Sequence, residues 1–107
     1  MSLDIDLAHA TTGVVYSCNI THNLQAMARK AGIHYVLWEP EKCGIEKAID
    51  MIGPLTIGVG MLAANKAKFV AFEPDCGWGT WEGLLMFCIN LLQACRDNPY
   101  ASVQVSK

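Results

Sequence analysis

The stretch that decides the fold runs from Pro74 to Arg96 and reads PDCGWGTWEGLLMFCINLLQACR. A turn rich in glycine and tryptophan is followed by a segment, Gly83 to Cys95, without a single charged residue. Its apolar residues recur at helical spacing: Leu84, Leu85, Cys88, Leu91, Leu92 and Cys95. A helix with so little charge must be covered over most of its circumference. We therefore predict either the central helix of the core or the contact between subunits of an oligomer.

The start and end of this helix are also marked in the sequence. Gly79 or Thr80 is suited to precede its first turn, and Glu82 in that turn favours the positive end of the helix dipole. Asn98 and Pro99 are expected to end it.

Composition favours one domain, residues 1–107, that hides part of its surface in a partner. Charged residues make up 17% of the chain, whereas an average soluble domain has roughly 25%. This shortage predicts a homo-oligomer, a dimer or a larger assembly. No apolar run approaches the roughly 18 residues of a membrane span. Because Lys and Arg are scattered and the net charge is −2, we expect neither a membrane nor a nucleic-acid partner.

The five cysteines are an odd number and do not follow zinc-binding spacing. We expect free thiols in a reducing cytoplasm, with Cys88 and Cys95 used as small buried residues. Neither a cofactor nor a metal is predicted. The weaker alternative is a metal site made by Asp4, Asp6 and His9 with His22 or His34.

The two ends of the chain have the alternating pattern of half-buried strands. Leu3, Ile5 and Leu7 alternate with acids, and a second strand is predicted over 14–18, which makes a hairpin. Valines alternate with polar residues over 101–106. We expect these terminal strands to pair in a small antiparallel sheet.

A first helix is predicted directly after the hairpin. Asn19 or Thr21 is its N-cap, and Gly32 takes the position after its last turn. Its apolar stripe consists of Ile20, Leu24, Met27, Ala28 and Ala31. A short strand is predicted next, from Ile33 to Trp38, because the segment alternates and is rich in β-branched and aromatic residues.

A second helix is predicted from Gly44 or Ile45 to about Asn65, with a kink at Pro54. Its expected buried face consists of Ile45, Ala48, Ile49, Ile52, Leu55, Val59 and Leu62. Residues 58–63 also fit the Gly-x-Gly-x-x-Ala dinucleotide fingerprint, but no acid stands about 20 positions further on. We favour glycines that permit close helix packing. A turn or short helix over 66–72 should bury Phe69 and Phe72.

These elements predict an α+β fold. Three main helices, the second kinked at Pro54, pack on a small antiparallel sheet formed by the N- and C-terminal strands.

The first candidate site is the strand end that passes into the first helix. Its polar residues surround a helix N-terminus, where free N–H groups favour an anionic small molecule. The residues expected to bind this molecule are Tyr16, Asn19, Thr21, His22 and Asn23. Capping by Asn19 and Thr21 is the structural alternative. Cys18, four residues before His22, is a weak candidate for covalent catalysis.

The second candidate site is the glycine and tryptophan turn. Trp78, Trp81 and Glu82 can form an aromatic platform that stacks a flat or cationic ligand. The structural alternative places Trp81 in the core and Trp78 over the helix end.

Several blocks of the chain resemble a family of small uncharacterised proteins of phages, prophages and bacteria. They lie at 16–24, at 31–33, at 37–38 and at 77–84, and the Asn-Ile-Thr-His-Asn and Gly-Trp-Gly motifs are the most distinctive. The chain departs from that pattern at Glu39-Pro40, where a basic residue is expected, and in its apolar segment 57–64. The resemblance implies phage or prophage character and no particular activity.

The leading interpretation is a small intracellular binding or interaction domain of phage or prophage character. An enzyme is the first alternative, with His22 as acid or base and Glu82 as its carboxylate partner in a shared cleft. A structural component of an assembly is the second.

Overall fold

A β-hairpin opens the chain in the computed structural model, which describes all residues from 1 to 107. Strand β1 spans Ser2–His9 and pairs with β2, Gly13–Thr21, in antiparallel register. Gly13 ends the connecting turn with a φ of 78°, a conformation that glycine adopts without strain. The hairpin is therefore confirmed, and its second strand is longer than predicted.

Strand β3, Ser102–Ser106, pairs with the other edge of β1 and gives the antiparallel order β2-β1-β3. The register of the strands places the apolar side chains that pack on the core on one face: Leu3, Ile5, Leu7, Tyr16, Cys18, Ile20, Val103 and Val105. The opposite face is polar over Asp4, Asp6, Ser17 and Asn19, and it carries Ala8 and Val14 at the end next to the hairpin turn. The predicted pairing of the terminal strands is thus confirmed, and the helices cover one face of the sheet.

The first predicted helix is divided in two. A 3-10 turn, His22–Leu24, precedes α1, which spans only Gln25–Lys30. Gly32 has a φ of 78° and the N–H of Ile33 donates to the carbonyl of Ala28, which ends the helix as predicted. All five residues of the predicted apolar stripe are buried, but Ile20 belongs to β2 and not to a helix.

The predicted strand at 33–38 is wrong, because His34–Trp38 forms a helix, α2. Val36, Leu37 and Trp38 are three consecutive buried residues, a pattern that a strand with one buried face does not give. The burial pattern supplies the physical reason. Ile33 and Leu37, and likewise His34 and Trp38, are buried pairs four residues apart, and a helix places each pair on one face.

Helix α3 spans Ala48–Ala64 after a 3-10 turn, Pro40–Cys43, and continues through Pro54. The disfavoured alternative, a dinucleotide fingerprint at 58–63, is therefore wrong, since its glycines lie inside α3 and no strand leads directly into them. Gly58 is buried against Ile33, as predicted for close packing, whereas Gly60 faces open space. Ile49, predicted to be buried, is 47% exposed.

Helix α4, Lys66–Val70, buries Phe69 completely. Phe72 lies beyond the end of α4 and is 37% exposed, so its predicted burial is wrong. The last helix, α5, spans Trp81–Asp97 as expected, and the Thr80 side chain accepts a hydrogen bond from the N–H of Gly83.

The single core lies between the sheet, α3 and α5. Helix α5 buries one face there: Leu84, Phe87, Cys88, Leu91, Leu92, Ala94 and Cys95. The architecture is α+β: five helices, of which α3 and α5 have 17 residues each, lie beside the three-stranded antiparallel sheet. No helix has both the length and the apolar character to cross a bilayer.

The predicted oligomer stays a prediction, and α3 has the more apolar exposed surface of the two long helices. No charged residue occurs from Met51 to Asn65, and Ile57 in its middle is 70% exposed. On α5 the most exposed large apolar residue, Met86, is 46% exposed.

Candidate functional site

The two candidate segments meet where β2 passes into the 3-10 turn. The Asn23 amide donates to the backbone oxygen of Trp78 at 3.2 Å and to the Cys76 sulfur at 3.5 Å. The next residue, Gly79, lies so close to Leu24 that a Cβ added to the glycine would be 3.0 Å from the Leu24 side chain. Its φ of 125° also favours glycine. Close approach and hydrogen bonds together fix the tryptophan turn beside the end of β2.

A shallow depression of about 400 Å³ forms at this junction. Four of the predicted site residues line it, together with Met1 and Ser2: Asn19, Thr21, Asn23 and Trp78. The Trp78 indole is 74% exposed. Since Asn23 holds the backbone of this residue, the ring is presented to solvent and does not cover the helix end.

A second depression of about 550 Å³ continues along the polar face of the sheet. Asn19 lines both depressions, so the two form one surface that we call the sheet-face groove. Strand register explains its composition, because Asp4 stands opposite Asn19 and Asp6 opposite Ser17. Ser106 of β3 adds a hydroxyl from the other side of Asp4.

Hydrogen bonds order the side chains of this groove. Asn19 donates through its amide to the Ser2 hydroxyl at 2.9 Å and to one carboxylate oxygen of Asp4. Ser17 donates to one oxygen of Asp6 at 2.7 Å. The second oxygen of each carboxylate and the Asn19 carbonyl make no hydrogen bond within the protein. The groove therefore offers acceptors that a ligand can fill.

No lysine or arginine lines the sheet-face groove, while two carboxylates do. The anionic ligand expected from the sequence does not fit this charge pattern. The helix after Thr21 also begins with a 3-10 turn, whose N–H at Asn23 is bonded to the Thr21 hydroxyl at 3.2 Å. Capping, the structural alternative, accounts for Thr21.

His22 contacts the core and not the groove. Its Nδ1 accepts a hydrogen bond from the indole N–H of Trp38 at 2.8 Å, so the proton of the neutral ring is on Nε2. Glu82 is exposed in the first turn of α5. None of the five pockets on the protein is lined by both residues. The structure does not bring this pair together in a cleft.

Trp81 and Tyr16 lie outside the groove. Trp81 donates through its indole N–H to the Leu62 carbonyl at 2.8 Å, and the Lys66 amine lies 5.1 Å from its ring centre. This is the structural alternative considered for Trp81. Tyr16 lies five residues before Thr21 on β2, and it lines another depression with residues of α5. Burial raises the pKa of Tyr16.

Cys18 does not have the properties of a nucleophile. Its sulfur faces the covered side of the sheet and lies 3.7 Å from the Ile5 carbonyl, to which it donates. Burial raises the pKa of Cys18 to about 12. The thiolate that nucleophilic catalysis needs is therefore scarce at neutral pH.

We expect only two of the five thiols to react quickly with iodoacetamide at pH 8 in the folded protein. Cys43 and Cys76 are exposed, whereas burial raises the pKa of Cys88 to about 12 and that of Cys95 to about 11. Mass spectrometry after a short exposure measures the labelling of each site. In denaturant all five should react. Fast labelling of Cys18 in the folded state would contradict its assigned environment.

No three side chains of His, Cys, Asp or Glu lie close enough together to hold a metal ion. The alternative set around Asp4, Asp6 and His9 is not assembled. Comparison with protein-family models, with curated proteins and with solved structures finds no match to this chain.

The sequence did not reveal Ser2, Ser17 and Ser106 as members of the groove. The alternation of polar residues in each strand was visible, but the register that aligns Asp4 with Asn19 and Ser106 was not. The surroundings of His34 were missed as well, because the sequence suggested this residue only as a candidate metal ligand.

Proposed function

We propose that this protein is a small binding domain whose sheet-face groove holds a saccharide. The observation that carries the proposal is the 74% exposed Trp78 indole, held at the end of a groove of amides, hydroxyls and carboxylates. An aromatic face packs well against the C–H groups of a sugar ring, and the polar groups beside it bind the ring hydroxyls.

Hydrogen-bond capacity supports a ligand with many hydroxyl groups. Each sugar hydroxyl has one proton to donate, and the free oxygens of Asp4, Asp6 and Asn19 are acceptors. The Ser2 and Thr21 hydroxyls are able to donate in return. One ligand can therefore both donate hydrogen bonds to the groove and accept hydrogen bonds from it.

The extent of the groove supports an oligosaccharide. Ser2, Asp4 and Asp6 follow one another at every second position of β1. Ser2 and Asp6 are four positions apart, which corresponds to about 13 Å along an extended strand. A short chain of linked sugar rings is able to lie along such a length while one ring covers Trp78.

The cellular context of the proposal rests on the sequence. A phage or prophage character rests on the sequence resemblance, and the reducing cytoplasm rests on the free thiols. The proposal is binding and not acid–base catalysis, because His22 and Glu82 share no pocket. A purely structural role would leave the exposed Trp78 unused.

Replacing Trp78 with alanine should weaken saccharide binding about tenfold or more, because the stacking surface is lost. The test is titration of isotope-labelled protein with cellotriose, maltotriose and chitotriose, followed by NMR shifts of Asn19 and Asn23. Tyr100→Ala is the matched control, since this aromatic residue is 72% exposed and lines no pocket.

Two outcomes would contradict the proposal. The first is no Trp78-dependent shift with any of the three trisaccharides at millimolar concentration. The second is a Trp78-dependent response to spermidine alone, which would replace the saccharide with a cation bound by the indole and the carboxylates.

A further inference from the structure

A separate pocket of about 410 Å³ lies between the end of α1 and the helix α2. It is lined by Arg29, Gly32, His34, Tyr35 and Glu39, and we call it the His34 pocket. No residue is shared with the sheet-face groove. Its volume is at the lower end of the range for small-molecule sites, which favours a ligand of few heavy atoms.

His34 is fixed in this pocket with one nitrogen unused. The imidazole Nε2 lies 3.0 Å from the Gln25 side-chain oxygen, which also accepts from Arg29 at 3.5 Å. Because that oxygen can only accept, Nε2 carries the proton and Nδ1 is an acceptor. Trp38 stacks on the ring with the planes 8° apart, so the imidazole cannot easily turn.

The free Nδ1 of His34 faces the pocket. The residue is only 9% exposed, and Nδ1 makes no hydrogen bond within the protein. No buried side-chain nitrogen or oxygen is sealed off without a partner. Nδ1 therefore reaches solvent, and the only cavity that His34 lines is this pocket. Nδ1 is therefore a solvent-accessible acceptor at the wall of the pocket, free to accept a hydrogen bond from a ligand.

Charges of both signs stand beside this acceptor. The Arg29 guanidinium makes no ion pair, since the single salt bridge of the protein joins Glu39 to Lys42 at 2.9 Å. The hydrogen bond from Lys42 lowers the pKa of Glu39, which keeps it ionised. Burial, with the charge of Arg29, lowers the pKa of His34, so Nδ1 keeps its lone pair at neutral pH.

We propose that the His34 pocket binds a free amino acid. The carboxylate of the ligand pairs with Arg29, and its ammonium group donates to Glu39 and to Nδ1 of His34. Tyr35, which is 54% exposed, packs against the ligand side chain. A simple anion would meet Glu39 and a simple cation would meet Arg29, whereas a zwitterion satisfies both.

Ligand variants test the two charges separately. L-Leucine is the probe, with N-acetyl-L-leucine lacking the ammonium and L-leucinamide lacking the carboxylate. Calorimetry should show leucine binding, and each analogue should bind at least tenfold more weakly, because one charged contact is lost. NMR should show a shift of the His34 ring signals on addition of leucine. Equal binding of leucinamide and leucine would overturn the proposal.

Protein variants identify the groups that make the contacts. Arg29→Gln and Glu39→Gln should each weaken leucine binding at least tenfold. Lys30→Gln is the matched control, because this exposed neighbour removes one positive charge without lining the pocket. His34→Asn keeps an acceptor near the position of Nδ1, and His34→Gln does not. We therefore expect leucine binding to survive better in His34→Asn.

Arg29 and Lys30 are exposed, so their variants keep the test decisive even where a His34 variant fails to fold. Binding that is insensitive to Arg29→Gln, or that Lys30→Gln weakens as much, would overturn the assignment. So would the absence of any leucine-induced His34 shift at millimolar concentration.

Discussion

The substitution Gly58→Ala is expected to lower the free energy of unfolding by about 1 to 3 kcal/mol, the usual cost of overpacking. A Cβ added at this position would collide with Cγ2 of Ile33. Ile33 is 1% exposed, and its Cγ2 branches directly from Cβ, so it cannot move without changing a stiff rotamer. Helix α3 must then shift away from the segment before α2. The midpoint of urea denaturation measures the change.

Gly60→Ala is the matched control in the same helix. No atom lies within 4 Å of its added Cβ, and alanine stabilises a helix relative to glycine by roughly 0.5 to 1 kcal/mol. The two substitutions are thus expected to shift the midpoint in opposite directions. In an Ile33→Ala background, Gly58→Ala should lose most of its cost, because the colliding methyl group is absent. A shift in the same direction for both glycines would contradict the close contact.

Elements with strong local signals were predictable from the sequence. Helix α5 has a threonine cap, an uncharged apolar stripe and an Asn-Pro stop, and its observed bounds, Trp81–Asp97, follow these signals. The terminal strands alternate with a period of two, which is enough to place them on a half-covered sheet. In both cases the information lies within the segment itself.

Helix α2 was not predictable in this way, because its assignment depends on the rest of the fold. The segment has the β-branched and aromatic composition of a strand, but it pairs with no strand of the sheet. The segment forms a helix because this conformation buries Val36, Leu37 and Trp38 in the core. Similarly, Ile49 is apolar on an apolar helix, and only the position of α3 over the core determines that it is exposed.

The candidate site was predictable in its residues and not in its geometry. Asn19, Thr21, Asn23 and Trp78 were selected because polar and aromatic groups gather in their segments, and they do line one depression. Contact between segments 55 residues apart, Asn23 to Trp78, has no local signal. The His34 pocket was missed for the same reason, since its acceptor arises from stacking on Trp38 and a bond to Gln25.

The segment from Thr21 to Asn23 connects the two pockets physically. Asn23 holds the Trp78 turn at the end of the sheet-face groove, and His22 accepts from the indole of Trp38. Trp38 in turn stacks on His34 at a ring distance of 5.4 Å. A chain of direct contacts thus runs from the groove to the His34 pocket through one buried residue.

The substitution Trp38→Ala should therefore have the largest effect on stability, a loss of about 3 to 5 kcal/mol of unfolding free energy. Trp38 is 2% exposed, and its removal leaves a cavity beside two imidazoles. Trp38→Phe keeps a ring to stack on His34 but removes the N–H bound by His22, and should cost about 1 to 2 kcal/mol. Urea denaturation compares the two variants with Trp78→Ala, which removes an indole that is 74% exposed.

A surface substitution such as Trp78→Ala is expected to stay within about 0.5 kcal/mol of the natural protein. The nitrogen shifts of His22 supply the second readout, because Nδ1 loses its donor in Trp38→Phe while the His34 ring keeps its neighbour. If Trp38→Phe left the His22 nitrogen signals unchanged, the bond between these residues would be contradicted. If Trp78→Ala cost as much as Trp38→Ala, the exposed position of Trp78 would be contradicted as well, and with it the basis for a stacking role in the groove.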